Sequence, residues 1–441
     1  MKNEFSLKTR REFLRTSVLN DALSWTVPAF LANTFSALQA EAADSATQIA
    51  TGRDSNILVI LQMAGGNDGL NTVVPYSNDH YHRARPKLGL AEKRILKIND
   101  DIGLHESLVG FKDLYDAGEL SIIQGVGYPN PNRSHFRSTE IWQTAADAEK
   151  IESSGWLGRY FDNTCPGCEP TVAVNIGRQM PQAFQAKHPV GVSLESPQSY
   201  RFMSREKGKS GEMTEESYRK LNEPDAEMAE NAGGTIDAIH GSVQSSGSAL
   251  DFLERTALDA QVSSDKIRTI ASRVENQATY PASQLGNSLK LVAKLIGGGL
   301  ATRVFYVSQS SYDTHTNQIG THERLLKELG DSVKAFVTDL KAQGNFSRVL
   351  VMTFSEFGRR VTENASSGTD HGAAAPMFVI GNHVKTGLLG KYPSLAPSDL
   401  FQGDLKYNLD FRSVYAGVLE NWLKTKSAPI LGRQFAPLQI T

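Results

Sequence analysis

Three apolar runs in this chain are each followed within a few residues by groups that can bind a metal ion. Short runs rich in Val, Ile and Leu are typical of buried strands. In an open α/β sheet the carboxyl ends of parallel strands meet at one edge, and binding sites form there. The run 56–63 is followed by Asp68, and the run 303–307 is followed by Asp313 and His315. The run 349–354 is followed by Glu356 and, one loop later, by His371. The sequence therefore predicts one shared polar site at the strand ends of an α/β sheet.

The rest of the chain alternates strand-like with helix-like segments. This alternation predicts a mostly parallel central sheet with helices on both faces, in a single domain over residues 54–441. Strands are expected at 56–63, 120–126, 171–176, 190–194, 301–308, 349–354 and 376–380, and helices at 108–117, 134–142, 249–274, 283–296, 322–343 and 409–424. Residues 204–248 are rich in Glu, Lys, Ser and Gly, which predicts an exposed insertion that is partly helical near 213–221.

The first 43 residues have the three-part pattern of an export signal. A twin-arginine motif at 9–15 precedes a modestly apolar stretch, 18–37, and small residues near Ala43 offer a cleavage site. Polar residues and Pro28 interrupt the stretch, so it does not form a stable membrane span. We expect a signal peptide over 1–43, export by the twin-arginine machinery, and a periplasmic or extracellular mature protein without a membrane span. The alternative is a cytosolic amphipathic helix with a chance arginine pair.

Charge and cysteine content narrow the function further. The formal net charge is −2, so the chain lacks the basic footprint that binds nucleic acid. The two cysteines, Cys165 and Cys168, cannot by themselves complete a tetrahedral zinc site. In an exported protein we favour a local disulfide between them, and a redox-active pair is the alternative.

Each candidate site residue also has a purely structural explanation. Asp68 lies in a glycine-rich turn, where it is either a ligand or part of an Asx turn. Ser134 is either a nucleophile at the start of a helix or a plain N-cap beside a core His135. Glu356 ends a strand and is either a ligand or the ion-pair partner of a nearby arginine. Asp370 is either a ligand or the hydrogen-bond acceptor of a ligating histidine.

Five motifs together resemble the DUF1501 family of exported bacterial proteins, which belongs to the alkaline phosphatase and sulfatase superfamily. The motifs are QxxGGNDGLNT at 62–72, RSHF at 133–136, DTH at 313–315, SEFGR at 355–359 and GTDHG at 368–372. The resemblance covers the leader and most of the mature chain. It implies an alkaline-phosphatase-like α/β fold and a divalent metal ion as cofactor, with zinc, manganese, magnesium and calcium all open.

The resemblance also implies a role for each candidate residue. Ser134 matches the superfamily's nucleophile, and Arg133 or Arg359 would bind the anionic group of the substrate. The implied metal ligands are Asp68, Asp313, His315, Glu356 and His371.

One departure from the superfamily pattern concerns Phe357, which stands where a metal-binding histidine is usual. The ligands of one ion survive as Asp313, His315 and His371. Those of the other are reduced to the oxygen groups of Asp68, Glu356 and Ser134. Oxygen ligands of this kind suit Ca²⁺, Mg²⁺ or Mn²⁺ better than zinc. A second ion is therefore expected to bind more weakly or not at all.

Two functions follow from the resemblance. The first is an exported metal-dependent hydrolase of phosphate or sulfate esters, with an anionic small molecule or polysaccharide as substrate. The alternative, suggested by Phe357, is a catalytically degenerate member that binds an envelope ligand or a protein partner. A formylglycine sulfatase is disfavoured, because the sequence around Cys165 lacks that signature.

Overall fold

A mixed sheet of nine strands forms the centre of the structure. The computed structural model describes residues 55–188, 191–198 and 262–441. The strands of these ranges are β1 Ile57–Met63, β2 Val73–Val74, β3 Ile95–Lys97, β4 Gly103–His105, β5 Leu120–Gly127, β6 Ala173–Ile176, β7 Val192–Leu194, β8 Val304–Gln309, β9 Val349–Phe354, β10 Ala375–Ile380, β11 Gly387–Leu389 and β12 Leu409–Asp410. The large sheet has the order β11-β5-β10-β9-β1-β8-β6-β7, and β12 pairs with β5. The short strands β2, β4 and β3 form a separate sheet.

The sheet is mostly parallel, as predicted. Its neighbouring strands run in the same direction except where β10 pairs with β5 and with β9. The seven predicted strands are all present, with ends that differ by up to three residues. The reversed direction of β10 was not foreseen, since an apolar run carries no information about strand direction.

Helices cover both faces of the sheet. They are α1 Asp79–Ala84, α2 Val109–Asp116, α3 His135–Thr144, α4 Trp156–Thr164, α5 Gln284–Gly297, α6 Gln318–Ala342, α7 Phe411–Gly417 and α8 Ala428–Leu431. Met377 and Val379 of β10 belong to the same buried cluster as Trp142 of α3. Phe378, between them, points to the opposite face and packs edge-to-face on Phe111 of α2 with ring centroids 5.0 Å apart.

The topology brings several loops to one edge of the sheet. β1 lies between β8 and β9, and the three strands end almost level, with Met63 paired to Gln309 and Gln62 paired to Phe354. β5 is parallel to β9, so the loop that leads to α3 leaves at the same edge. β10 runs the other way and therefore begins there, at Ala375. The loops that follow β1, β5, β8 and β9 and the loop that precedes β10 therefore meet at one place.

Cys165 and Cys168 form the predicted disulfide, directly after α4. Among the described residues, no helix is long and apolar enough to span a membrane. The predicted signal peptide, the insertion at 204–248 and the helix at 213–221 lie outside the described residues, as does the first part of the predicted helix at 249–274.

Candidate metal centre

Three histidine rings converge on the carboxylate of Asp313, at the edge where the loops meet. Asp313 and His315 follow β8, His371 precedes β10, and His135 is the first residue of α3. The Nε2 atoms of His315 and His371 each lie 3.1 Å from Asp313 Oδ1. The Nε2 atom of His135 lies 3.4 Å from Asp313 Oδ2. Four potential ligands from three separate segments therefore share one small volume.

His315, which follows β8, and His371, which precedes β10, face each other through their Nε2 atoms. His315 Nε2 and His371 Nε2 are 2.9 Å apart. At this distance one nitrogen must carry a proton for the other, or a cation must lie between the two lone pairs. Ligand atoms of His135, Asp313 and His371 all lie within 4.8 Å of one another, a spacing that would allow all three to bind one metal ion.

The outer nitrogen of each ring has its own acceptor. His135 Nδ1 lies 2.9 Å from Glu356 Oε1, and His315 Nδ1 lies 3.1 Å from Asp370 Oδ1. His371 Nδ1 lies 2.8 Å from the carbonyl oxygen of Arg133. Since a carbonyl oxygen only accepts, Nδ1 of His371 carries the proton and its Nε2 lone pair faces Asp313. Metal-binding histidines are typically held in this way, by a carboxylate or a backbone carbonyl behind the ring.

The protonation states around Asp313 suit a cation. Burial alone would raise the pKa of Asp313, but the hydrogen bond and the positive charge of Arg359 outweigh it and lower the pKa to about 2. Burial lowers the pKa of His371, so its neutral, metal-binding form is favoured. The hydrogen bond to Glu356 raises the pKa of His135, so a metal would displace a proton from this ring.

Glu356, predicted as a direct ligand, lies behind His135 instead. Its side chain is 3% exposed, and Oε1 also accepts a hydrogen bond of 2.8 Å from the backbone N–H of Gly65. The structure therefore gives Glu356 the task of orienting His135. The sequence offers His135 only as a core residue beside the N-cap, because a histidine at that place gives no signal of its own. The RSHF motif was the one clue to its importance.

Arg359, predicted as a substrate ligand, is instead committed to the protein. Its side chain is fully buried and donates a hydrogen bond of 2.7 Å to Asp313. The same guanidinium donates to four backbone carbonyls, those of Gly65, Gly66, Tyr312 and Thr369. Arg359 thus joins the loops that follow β1, β8 and β9 and holds the Asp313 carboxylate in place.

Asp68 is not brought into the histidine cluster. Its carboxylate is completely buried and pairs with the equally buried Arg85 at 2.6 Å. Gln318 Nε2 donates a second hydrogen bond of 2.5 Å to the same oxygen, and Asp68 Oδ1 has no partner among the described residues. Burial acts to raise the pKa of Asp68, but Arg85 outweighs it, and the pKa is lowered. The cation beside Asp68 is therefore a guanidinium of the chain itself.

The glycines before Asp68 explain this placement. Gly65 and Gly66 both have positive φ, 118° and 76°. A Cβ at Gly65 would lie 2.5 Å from the backbone nitrogen of Asp313, and one at Gly66 would overlap the Phe357 ring. The backbone of this turn fills the space beside the cluster.

Phe357 forms an apolar wall of the centre. It is buried, and its ring lies 4.9 Å from that of His135 and 4.5 Å from that of His371, measured between centroids. Phe357 therefore packs against two candidate ligands.

Arg133 and Ser134 directly precede His135 in the chain. Ser134 is the exposed N-cap of α3, and its hydroxyl makes no capping hydrogen bond. Arg133, whose carbonyl holds His371, pairs through its side chain with the buried Asp404, with Nε 2.8 Å from Oδ2.

Comparison with known families identifies the chain. The family described as "Protein of unknown function (DUF1501)" matches residues 55–431. The chain belongs to the DUF1501 family. In this DUF1501 protein the motifs RSHF, DTH, SEFGR and GTDHG supply the converging side chains, their acceptors and the apolar wall. No curated protein matches the sequence.

Solved structures with a similar chain course have low sequence identity to this DUF1501 protein. A protein of the alkaline phosphatase superfamily from Vibrio parahaemolyticus is 10% identical, with a TM-score of 0.39, over 91% of this chain and 76% of that one. The lipoteichoic acid synthase LtaP from Listeria monocytogenes is 9% identical, with a TM-score of 0.36, over 91% and 81%. Alkaline phosphatase from the Antarctic bacterium TAB5 is 11% identical, with a TM-score of 0.29, over 74% and 92%.

Proposed function

We propose that this DUF1501 protein is an exported, metal-dependent hydrolase of phosphate or sulfate esters. The observation that carries the proposal is the convergence of three imidazole Nε2 atoms on Asp313, each ring fixed from behind by its own acceptor. A metal ion needs polar side chains that are held in place and face one point. A purely structural cluster does not need this arrangement. Export rests on the twin-arginine pattern of the first residues.

The donor set favours a transition metal ion. It consists of His135, His371 and Asp313, whose ligand atoms lie within 4.8 Å of one another, and His315 adds an Nε2 atom 3.1 Å from Asp313. Imidazole nitrogens suit zinc and related ions, whereas Mg²⁺ and Ca²⁺ prefer oxygen ligands throughout. Among the cofactors left open by the sequence, zinc therefore fits best, followed by manganese. A bound ion would supply Lewis acidity toward an oxygen of the ester.

The residues around the ion would position the substrate and the nucleophile. Ser134 Oγ would form the new bond to phosphorus or sulfur while the bond to the ester oxygen breaks, with the serine proton leaving on the departing alcohol. Water would then hydrolyse the seryl ester and restore the serine hydroxyl. The N–H groups of the first turn of α3, a helix of 10 residues, would attract the anionic group to the serine. Asp313 stays ionised at neutral pH because of its low pKa, and Arg359 keeps it oriented.

A second candidate function is ligand binding without turnover. The pairing of Asp68 with Arg85 and the packing of Phe357 on His135 leave one cation position where the superfamily has two. A centre with one ion can still bind an anionic envelope ligand or an acidic partner.

Metal content tests the proposal first. Protein purified without chelator is expected to contain about one equivalent of a divalent ion by elemental analysis. His371→Ala and His315→Ala should lose it, since each removes an inward Nε2 atom. His383→Ala, which changes an exposed histidine elsewhere, is the matched control and should keep it.

Two outcomes separate the candidate functions. Wild-type protein that takes up no ion on titration would overturn the metal centre. Metal-loaded protein that hydrolyses none of a panel of phosphate and sulfate esters would favour binding without turnover. Ester hydrolysis that is lost in His371→Ala and Ser134→Ala would support the hydrolase.

A further inference from the structure

Beside the histidine cluster lie two arginines that share one buried carboxylate. Asp404 is completely buried, and Arg133 holds its Oδ2 atom through Nε at 2.8 Å and Nη2 at 2.5 Å. Arg360 approaches the other oxygen, Oδ1, with Nε at 3.7 Å. This distance is too long for a hydrogen bond, and Oδ1 has no hydrogen-bond partner among the described residues.

The backbone fixes both arginines next to a candidate ligand. The carbonyl of Arg133 accepts from His371 Nδ1 at 2.8 Å, and the N–H of Arg360 donates to the carbonyl of Asp370 at 2.9 Å. The segment that carries His371 therefore lies between the two, and the guanidinium groups meet at Asp404. The backbones of both arginines are therefore held in place by hydrogen bonds to this segment.

The donors of Arg360 are not used by the protein. Its guanidinium makes no hydrogen bond with a described residue, and its side chain is 38% exposed. Arg133 is 32% exposed and uses Nε and Nη2, which leaves Nη1 without an acceptor in the described part of the chain. The carboxylate of Asp370, which feels the charge of Arg360, is hydrogen-bonded to His315 and Asn364 instead. A guanidinium fork with free, half-exposed donors is suited to an oxyanion.

We propose that Arg133 and Arg360 form an anion-binding subsite next to the metal centre, which takes a second acidic group of the substrate. The group is an oxyanion, either carboxylate, sulfate or phosphate. Asp404 holds the two arginines together from behind and stops them from separating. The substrate class that this subsite selects is a polyanion, with one ester group at the metal centre and a further acidic group beside it. This last step rests on the proposed hydrolase function, whereas the anion subsite itself does not.

Binding of inorganic sulfate, measured by calorimetry, tests the subsite without any turnover. The measurement is made on wild-type protein before and after removal of metal with a chelator. Sulfate binding is expected to persist without metal, and Arg360→Gln is expected to weaken it about tenfold, the loss of one charged hydrogen-bonding partner. Arg360→Lys should fall between the two, because it keeps the charge without the fork. Arg433→Gln, an exposed arginine paired with Asp147, is the matched control and should bind sulfate like wild type.

The outcomes are distinct. Sulfate affinity that is equal in wild type and Arg360→Gln, or that vanishes with the metal, would overturn the subsite. The thermal unfolding midpoint of Arg360→Gln should match wild type within a few degrees, because a half-exposed pair at 3.7 Å contributes little stability. If ester hydrolysis is found, Arg360→Gln should raise KM for esters with a second acidic group and leave kcat unchanged. For esters with a single charge neither value should change, and a change in kcat alone would contradict the assignment.

Discussion

At the scale of single residues, the centre depends on groups that never touch the metal position. Each histidine has one nitrogen facing Asp313 and the other held by Glu356, Asp370 or a backbone carbonyl. An imidazole whose outer N–H is fixed has its lone pair fixed as well. The acceptors behind the rings are therefore as important to the centre as the rings themselves.

Glu356→Gln tests this dependence. The amide keeps the size of the side chain but removes the charge that raises the pKa of His135 and makes the ring a stronger ligand. Metal affinity, measured by competition with a chromophoric chelator, is expected to fall about 10–100-fold. Glu323→Gln removes a carboxylate that pairs with Arg94 on a partly exposed surface and should leave the affinity unchanged. Equal affinities in Glu356→Gln and wild type would show that His135 needs no charged acceptor.

At the scale of elements, the sequence predicted the strands and their ends better than it predicted the partners of the side chains near those ends. The apolar runs located β1, β8 and β9, and the groups behind them do meet at one edge. His371 also reaches this edge, but only because β10 is reversed, and strand direction is not encoded in hydrophobic periodicity.

Asp68 shows most clearly what could not be predicted from the sequence. Its partner, Arg85, comes directly after α1, a short helix of six residues that the sequence analysis did not predict. Burial of a charge makes a partner necessary, but sequence alone does not say whether that partner is a metal ion or a guanidinium. The resemblance favoured a metal, and the packing of α1 against the loop behind β1 supplied an arginine.

The Asp68–Arg85 pair links the loop behind β1 to the segment that follows Arg359. Besides Asp68, Arg85 donates to the backbone carbonyls of Val361 and Arg360. Asp68→Asn would leave a buried guanidinium without its counter-charge, at a cost of about 3–5 kcal/mol in the free energy of unfolding. Urea denaturation measures this. Asp116→Asn, which removes an exposed pair with Lys112, should change it by less than about 0.5 kcal/mol.

The pH dependence of that difference has a definite sign. Because the pKa of Asp68 is lowered in the folded state, its contribution is complete above the unfolded value of about 3.9. It is lost as the pH falls through the lower folded value. The difference between wild type and Asp68→Asn should therefore be constant from about pH 5 to 8 and shrink in stronger acid. A difference that grows on acidification would contradict the ion pair.

At the scale of the whole molecule, the centre is assembled from segments that are far apart in the chain. His135, Asp313 and His371 come from three loops that approach one another only when the sheet has formed. An unfolded chain cannot present these side chains together, so uptake of the proposed metal ion would be coupled to folding. A protein of this kind gains from a route that exports it already folded, which is consistent with the twin-arginine pattern at residues 9–15.

Export is tested by changing the arginine pair. Arg10→Lys combined with Arg11→Lys keeps the charge of the leader but removes the pair that the twin-arginine machinery recognises. The double variant is expected to stay in the cytoplasmic fraction at full length, whereas wild type is expected in the periplasm or medium in a shorter, processed form. Arg15→Lys, outside the pair, is the matched control and should be exported. Processed double variant outside the cytoplasm would show that the leader uses another route, and the folding of the centre would then have to follow translocation.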